Sequence, residues 1–242
     1  MEIFGSTKVT IIDKINDSEM YHVDMKQKID ATKPFGNIPV KVIDIPFVRS
    51  RSKYDRGVKN SFLASVRSYT KNSLEMFSSG RYSVLLRKKR NHRHGENYPV
   101  LKVFIDDLGY LEYLKFCCSH QDIPHVPKIF LIYEIHISGA PKGEFPRYGY
   151  GVVMERLLPL SQKNRTSQWI DGIHSMAGAL SRTPEEDIDM KFLLFAIEQL
   201  SSHLRSLQKK NRRPKIDFDI HGQNIMLRGN TYVITDPYVW DN

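Results

Sequence analysis

The sequence has little cysteine and no long hydrophobic run. Its only two cysteines, Cys117 and Cys118, are adjacent, and they lack the CxxC spacing of zinc sites. We therefore expect no disulfide framework, no zinc site and a reducing compartment. The absence of a run of about 18 apolar residues argues against a transmembrane helix. The first residues, MEIFGSTKVTIID, lack the basic stretch and apolar stretch of a secretory signal, so we predict a cytoplasmic protein.

Charge is unevenly distributed along the chain. The formal net charge of the 242 residues is +9, and 40% of them are hydrophobic, which is enough for a folded core. Residues 47–95, here called the basic band, contain thirteen Lys and Arg against two Asp and Glu. Such a band favours an acidic protein surface, nucleic acid or phosphates as partner, but it is equally typical of a solvated surface. No nucleic-acid-binding motif accompanies it.

Hydrophobic periodicity predicts a β-rich half followed by a helical half. In the first half we expect strands at residues 8–13, 40–45, 82–86, 98–105, 128–137 and 149–155, with 82–86 paired to 98–105 and 128–137 paired to 149–155. We expect helices at 58–76 and 108–119, the first from apolar residues at roughly helical spacing: Phe62, Val66, Tyr69 and Leu74. In the second half we expect helices at 169–180 and 188–209, the latter with one apolar face formed by Leu193, Ile197, Leu200, Leu204 and Leu207. The apolar segments 225–227 and 232–234 flank Arg228-Gly229-Asn230 and predict a hairpin.

The segment KIDFDIHGQNIMLRGNTYVITDP has the residue pattern that phosphoryl transfer requires. Asp219 is followed five residues later by Asn224, and Asp236 comes twelve residues further on, after the predicted hairpin. Phosphoryl transfer needs metal ions on the phosphates, a carboxylate that orients the acceptor hydroxyl, and cations near the developing charge. Protein kinases supply these groups with an Asp, an Asn five residues later and a second Asp after a short hairpin.

This segment resembles the catalytic and metal-binding loops of the protein kinase superfamily. It is similar in particular to the early Ser/Thr protein kinases of T7-like phages, which share its FDxHxxNIM and ITDP phrases. The resemblance implies that Asp219 is the catalytic carboxylate and that His221 contacts the transferred phosphate. It also implies that Asn224 and Asp236 hold Mg²⁺. The resemblance covers residues 76–242 and is most specific over 215–238.

The resemblance implies a bilobal α+β fold. We expect an N-terminal extension at residues 1–58, a β-rich nucleotide-binding N-lobe at 59–160 and a minimal helical C-lobe at 161–242. Ordinary protein kinases continue for several helices after the metal-binding Asp, whereas this sequence ends six residues after Asp236. We expect either a minimal lobe supported by residues 1–60 or one domain of a longer protein.

A lysine upstream is the expected ligand of the α- and β-phosphates of ATP. Lys102 lies in the apolar stretch VLKVF, where an unpartnered lysine is costly to bury. The alternative is that Lys102 points to solvent on an open sheet face. Its expected partner is Glu112, ten residues later, with Asp106 or Asp107 as substitutes.

Two further stretches match the nucleotide-binding part of the resemblance. Gly80 and Ser83 lie in SSGRYS, where the phosphate-covering loop is expected, although this stretch has a single glycine. In VVMERL, Met154 is expected to border the adenine, and the backbone around Glu155 and Leu157 to bond the base.

Three functions are compatible with these residues. The first is an ATP- and Mg²⁺-dependent Ser/Thr protein kinase of the phage early type, acting in the host cytoplasm. The resemblance implies host transcription, RNA-processing and translation proteins, RNA polymerase among them, as its substrates. The second is a kinase-fold binding protein that inhibits a host complex through the basic band. The third is a small-molecule phosphotransferase, suggested by the position of His221.

Overall fold

The computed structural model describes nine stretches of the chain. They are residues 34–49, 58–70, 74–79, 83–88, 99–140, 148–159, 188–210, 215–220 and 224–241. Within these stretches the protein is a mixed α+β structure with one large sheet, two small sheets and three helices. This confirms the α+β class expected from the sequence. The segments 8–13 and 169–180, expected to be a strand and a helix, lie outside the described residues.

The described residues form eleven strands and three helices. The strands are β1 (Val40–Pro46), β2 (Leu74–Ser79), β3 (Ser83–Lys88), β4 (Val100–Phe104), β5 (Ile129–Ser138), β6 (Tyr148–Met154), β7 (Leu158–Pro159), β8 (Lys215–Phe218), β9 (Ile225–Arg228), β10 (Thr231–Ile234) and β11 (Tyr238–Asp241). The helices are α1 (Val58–Tyr69), α2 (Leu108–Ser119) and α3 (Ile188–Lys210). None of these helices has the length and apolar character needed to cross a membrane.

The described residues form two compact units. Unit 1 contains those between Ile38 and Asp106 and those between Phe130 and Arg156. Unit 2 contains those before Ile38, those between Asp107 and Ile129, and those from Leu157 onwards. The lobe boundaries expected at residues 58 and 160 stay a prediction, because compact units need not coincide with functional lobes.

Unit 1 is built on a six-stranded sheet with the strand order β1-β5-β6-β4-β3-β2. Strand β3 pairs with β4, and β5 lies beside β6, so both pairings expected from the sequence are confirmed. β1 lies parallel to β5 at one edge, with Val40 opposite Ile132. Strand β1, which comes from the expected N-terminal extension, is therefore part of this sheet.

Helix α1 packs against one face of the sheet in unit 1. Phe62 and Val66 of α1 are buried in the same hydrophobic cluster as residues of β3 to β6. A Cβ atom at Gly149 would lie 2.3 Å from Phe62 Cζ, so only glycine allows the ring to approach β6 this closely. Ser65 Oγ accepts the Val48 N–H at 2.8 Å and thereby ties α1 to the chain after β1.

The helix expected over residues 58–76 is too long. α1 ends at Tyr69, and Leu74 already belongs to β2, opposite Lys88 of β3. Leu74 is buried, as the predicted helix required. One buried side chain is compatible with a helix or with a strand, so Leu74 could not show where the helix ends. Tyr69, expected on the apolar face of the helix, is 41% exposed.

The described residues of unit 2 form α2, α3 and two small sheets. One sheet has the order β10-β9-β7, and the other pairs β8 with β11. The expected hairpin is β9–β10, and its turn contains Gly229 at a φ of 58°, which favours glycine. Helix α3 confirms the expected apolar face, since four of its five residues are buried: Leu193, Ile197, Leu200 and Leu204.

Candidate active site

Asp219, Asn224 and Asp236 all lie in unit 2, each next to the end of a short strand. Asp219 follows β8, Asn224 precedes β9, and Asp236 lies between β10 and β11. Phe218 of β8 is paired with Tyr238 of β11, which brings the chain at Asp219 beside the chain after Asp236. We call the two segments that carry these residues loop 219–224 and loop 235–237.

Hydrogen bonds join the two loops at both ends. The Asp219 N–H donates to the Pro237 carbonyl at 2.7 Å. At the other end, the Thr235 N–H donates to the Asn224 carbonyl at 2.8 Å, and Thr235 Oγ1 donates to the same carbonyl at 3.1 Å. The three residues expected at the site therefore stand on segments that are hydrogen-bonded to each other.

The Asn224 side chain closes loop 219–224. Its Nδ2 donates to the Asp219 carbonyl oxygen at 2.7 Å. Because the amide is planar, this bond also fixes the direction of its oxygen, Oδ1, which is the atom able to bind a cation. Asp219, Asn224 and Asp236 are all half-buried, so each keeps part of its surface exposed to solvent.

The Asp236 carboxylate lies close enough to α2 to act on a buried tyrosine. Burial and then the charge of Asp236 raise the pKa of Tyr110 well above its ordinary value. The Tyr110 ring meets the Tyr113 ring edge to face, with centroids 6.0 Å apart. The face of α2 that carries these two rings is therefore part of the surroundings of Asp236.

No protein-family model matches this chain, and no curated protein is similar enough to count as a match.

The residues present fit a hard divalent cation such as Mg²⁺. Asn224 and Asp236 both offer oxygen atoms, which Mg²⁺ prefers, and Mg²⁺ takes its remaining ligands from water and substrate phosphates. A site of this kind therefore needs only one or two carboxylates from the protein. In the part of the chain that the structure describes, no three His, Cys, Asp or Glu side chains gather into a metal-binding group.

Lys102 lies in β4 of unit 1 and is only 7% exposed. Its neighbours Leu101 and Val103 belong to the hydrophobic cluster, so the alternation of a strand directs Lys102 to the opposite face of the sheet. The alternative of a lysine that points to solvent is wrong. A buried ammonium group requires anionic or polar partners, which is compatible with phosphate binding but does not establish it.

Glu112, the expected partner of Lys102, has a partner on its own helix. Its carboxylate accepts a hydrogen bond from Lys115 Nζ at 2.6 Å, one turn further along α2. Of the expected substitutes, Asp107 is the N-cap of α2, where its Oδ1 accepts the Tyr110 N–H at 2.8 Å. The pairing of Lys102 with any of these carboxylates stays a prediction.

Four other residues expected to bind the nucleotide lie at strand ends or directly beside them. Ser83 begins β3, and the connection from β2, which includes Gly80, lies outside the described residues. Met154 is the last residue of β6 and is buried, Glu155 is half-buried, and Leu157 is buried. Their contacts with a nucleotide stay predictions. His221 also lies outside the described residues.

Sequence reasoning missed three residues that shape the site. Thr235 joins the two loops, and although it is part of the ITDP phrase, nothing in the phrase distinguished it from its neighbours. Tyr113 and His125 bind the backbone of β10 from far away in sequence. No local pattern indicates such contacts, because they depend on pairing between distant segments.

Proposed function

We propose that this protein is an ATP- and Mg²⁺-dependent Ser/Thr protein kinase with a two-lobed kinase-like fold, similar to the early kinases of T7-like phages. The observation that carries the proposal is the hydrogen-bonded pair of loops on which Asp219, Asn224 and Asp236 stand. Kinases use these residue types in this order, with a short hairpin between the Asn and the second Asp.

Each residue has a chemical task in the proposed reaction. Bound Mg²⁺ neutralises the charge that develops on the phosphate oxygens. Asn224 and Asp236 offer it oxygen ligands, and Asp219 orients the acceptor hydroxyl and receives its proton. Lys102 and His221 bind phosphate oxygens. The bond from Asp219 N–H to Pro237 keeps the catalytic carboxylate in register with the loop that carries Asp236.

The resemblance to the phage kinases also suggests the substrates and the compartment. We propose that the acceptors are Ser and Thr residues of host proteins in transcription, RNA processing and translation, and that the reaction takes place in the host cytoplasm. A small-molecule acceptor would give labelled small products instead of labelled proteins.

The proposal is tested by incubating host lysate with ATP labelled at its γ-phosphate. Asp219→Asn should lower protein labelling by about a hundredfold or more, the usual contribution of a general base. Asp217→Asn is the matched control, because Asp217 is an exposed carboxylate on the adjacent strand β8. Labelling that survives Asp219→Asn at the control level would contradict the assignment, provided that both variants keep the wild-type denaturation midpoint.

One observation favours the second function, a kinase-fold binding protein without transfer activity. Glu112 is engaged with Lys115, so an ion pair to Lys102 would have to compete with a bond already made. In this case ATP binds without transfer, and replacing the four basic residues from Arg87 to Arg90 by neutral ones removes the biological effect. Asp236→Ala would leave that effect intact, whereas it abolishes the effect of a kinase.

A further inference from the structure

The short strand β10 leads directly into the loop that carries Asp236. It comprises four residues and ends at Ile234, two residues before Asp236. In its sheet β10 stands at the edge, paired on one side with β9, where Ile234 is opposite Ile225. A strand this short has few ladder bonds of its own, so its position depends on what binds its other side.

That other side is bound by the connector between α2 and β5, residues 120–128. The Ile234 N–H donates to the His125 carbonyl at 2.9 Å. His125 Nδ1 lies 2.7 Å from the Tyr232 carbonyl oxygen, and since a carbonyl only accepts, Nδ1 carries the proton and donates. His125 is 1% exposed, so one buried residue supplies both a backbone acceptor and a side-chain donor to β10.

The β9–β10 hairpin reaches back to the connector from its other strand. Arg228 Nη1 donates to the Pro124 carbonyl at 2.8 Å, and Nη2 donates to the Val126 carbonyl at 3.0 Å. The two nitrogens of one planar guanidinium thus hold the residues on either side of His125. The connector and the hairpin are therefore joined as one body.

Helix α2 supplies the last contact to β10, at Ile234, the residue of β10 that is nearest in sequence to Asp236. The hydroxyl of Tyr113 donates to the Ile234 carbonyl, and Tyr113 is 1% exposed. Its ring also meets the Tyr238 ring edge to face, with centroids 6.0 Å apart. Tyr113 thus touches the chain two residues before Asp236 and two residues after it.

We propose that Tyr113 and His125 are positioning residues that set the place of the metal-binding oxygens by fixing the end of β10. The inference rests on the proposed function, because it assigns these residues to the same site. A shift of Ile234 is passed on to Thr235, which bonds the Asn224 carbonyl, so Asn224 and Asp236 move together. Replacing a residue that orients a metal ligand typically weakens metal binding by about 10–100-fold.

The test measures Mn²⁺ binding in the presence of ATP, by the loss of the electron paramagnetic resonance signal of free Mn²⁺. Tyr113→Phe keeps the ring but removes the hydroxyl, and it should weaken Mn²⁺ binding by about tenfold. Tyr238→Phe is the matched control, because its hydroxyl donates to the Leu200 carbonyl of α3 instead of to β10. Tyr238→Phe should change Mn²⁺ affinity by less than about twofold, far below the 10–100-fold typical of residues that orient metal ligands.

A second pair of variants tests His125 by rescue. His125→Leu removes the donor and should weaken Mn²⁺ binding, whereas His125→Asn keeps a donor near the position of Nδ1 and should restore most of it. Equal Mn²⁺ affinity in the wild type, Tyr113→Phe and His125→Leu would overturn the inference while leaving the proposed function standing. A loss of affinity that is equal in Tyr113→Phe and Tyr238→Phe would also overturn it, because general loosening explains that result. Absence of Mn²⁺ binding by the wild type with ATP would overturn the proposed function and the inference together.

Discussion

Replacing Asn224 by aspartate exchanges one NH₂ group for an oxygen and so tests whether that group closes loop 219–224. In the wild type, Nδ2 donates to the Asp219 carbonyl oxygen across 2.7 Å. In Asn224→Asp, an ionised carboxylate oxygen faces the carbonyl oxygen across the same gap, and neither atom has a proton to donate.

The expected cost follows from the geometry of this one contact. Both residues are half-buried, so water compensates the lost bond only in part. Removing one partner of such a bond costs about 1–3 kcal/mol of unfolding free energy, and repulsion between the two oxygens adds to the cost. Asn230→Asp makes the same chemical change in the exposed β9–β10 turn, and we expect it to stay within about 0.5 kcal/mol of the wild type.

The effect should depend on pH in a defined direction. The Asp219 carbonyl disfavours the ionised form, so folding raises the pKa of the introduced carboxyl above its unfolded value of about 3.9. A carboxyl whose pKa is raised by folding lowers stability above the unfolded value, and this loss disappears as the pH falls through the folded pKa. The destabilisation is therefore largest at neutral pH and decreases on acidification, when the protonated carboxyl donates to Asp219.

Urea denaturation of both variants at neutral and mildly acidic pH measures these differences. Addition of Mg²⁺ at neutral pH should recover part of the stability of Asn224→Asp, because the introduced charge attracts a cation placed at Asp236. The reasoning is refuted if Asn224→Asp is as stable as Asn230→Asp at neutral pH. It is also refuted if the difference between the two variants grows as the pH falls.

Two further predictions concern the two units separately. Gly149→Ala should destabilise unit 1 by about 1–3 kcal/mol, because the new Cβ overlaps the Phe62 ring, and Phe62→Leu should reduce that penalty in a double-mutant cycle measured by urea denaturation. An equal penalty in both backgrounds contradicts the overlap. In unit 2, burial raises the pKa of the Cys118 thiol, so iodoacetamide should alkylate Cys118 only in urea concentrations that unfold the protein, as followed by mass spectrometry. Rapid alkylation without urea would show that the thiol is accessible in the folded state.

Local patterns in the sequence located most of the elements. Helix α3 was expected at residues 188–209 and spans Ile188–Lys210, because a long amphipathic repeat specifies both the type and the phase of a helix. The end of α1 was misplaced because the apolar residues of a short strand continued the helical spacing by coincidence. Strands β8 and β11 were not expected, since each has four residues and acquires its structure only by pairing with the other.

The sequence by itself determined the α+β class, the long helix of unit 2 and the order and spacing of Asp219, Asn224 and Asp236. These features are local, because side-chain periodicity and turn chemistry act over a few residues. Tertiary structure alone decided that β1 lies parallel to β5, that Lys102 is buried, and that Tyr113 and His125 bind β10. Such contacts join segments up to 121 residues apart, and their energy depends on burial and hydrogen-bond geometry that exist only once the chain has folded.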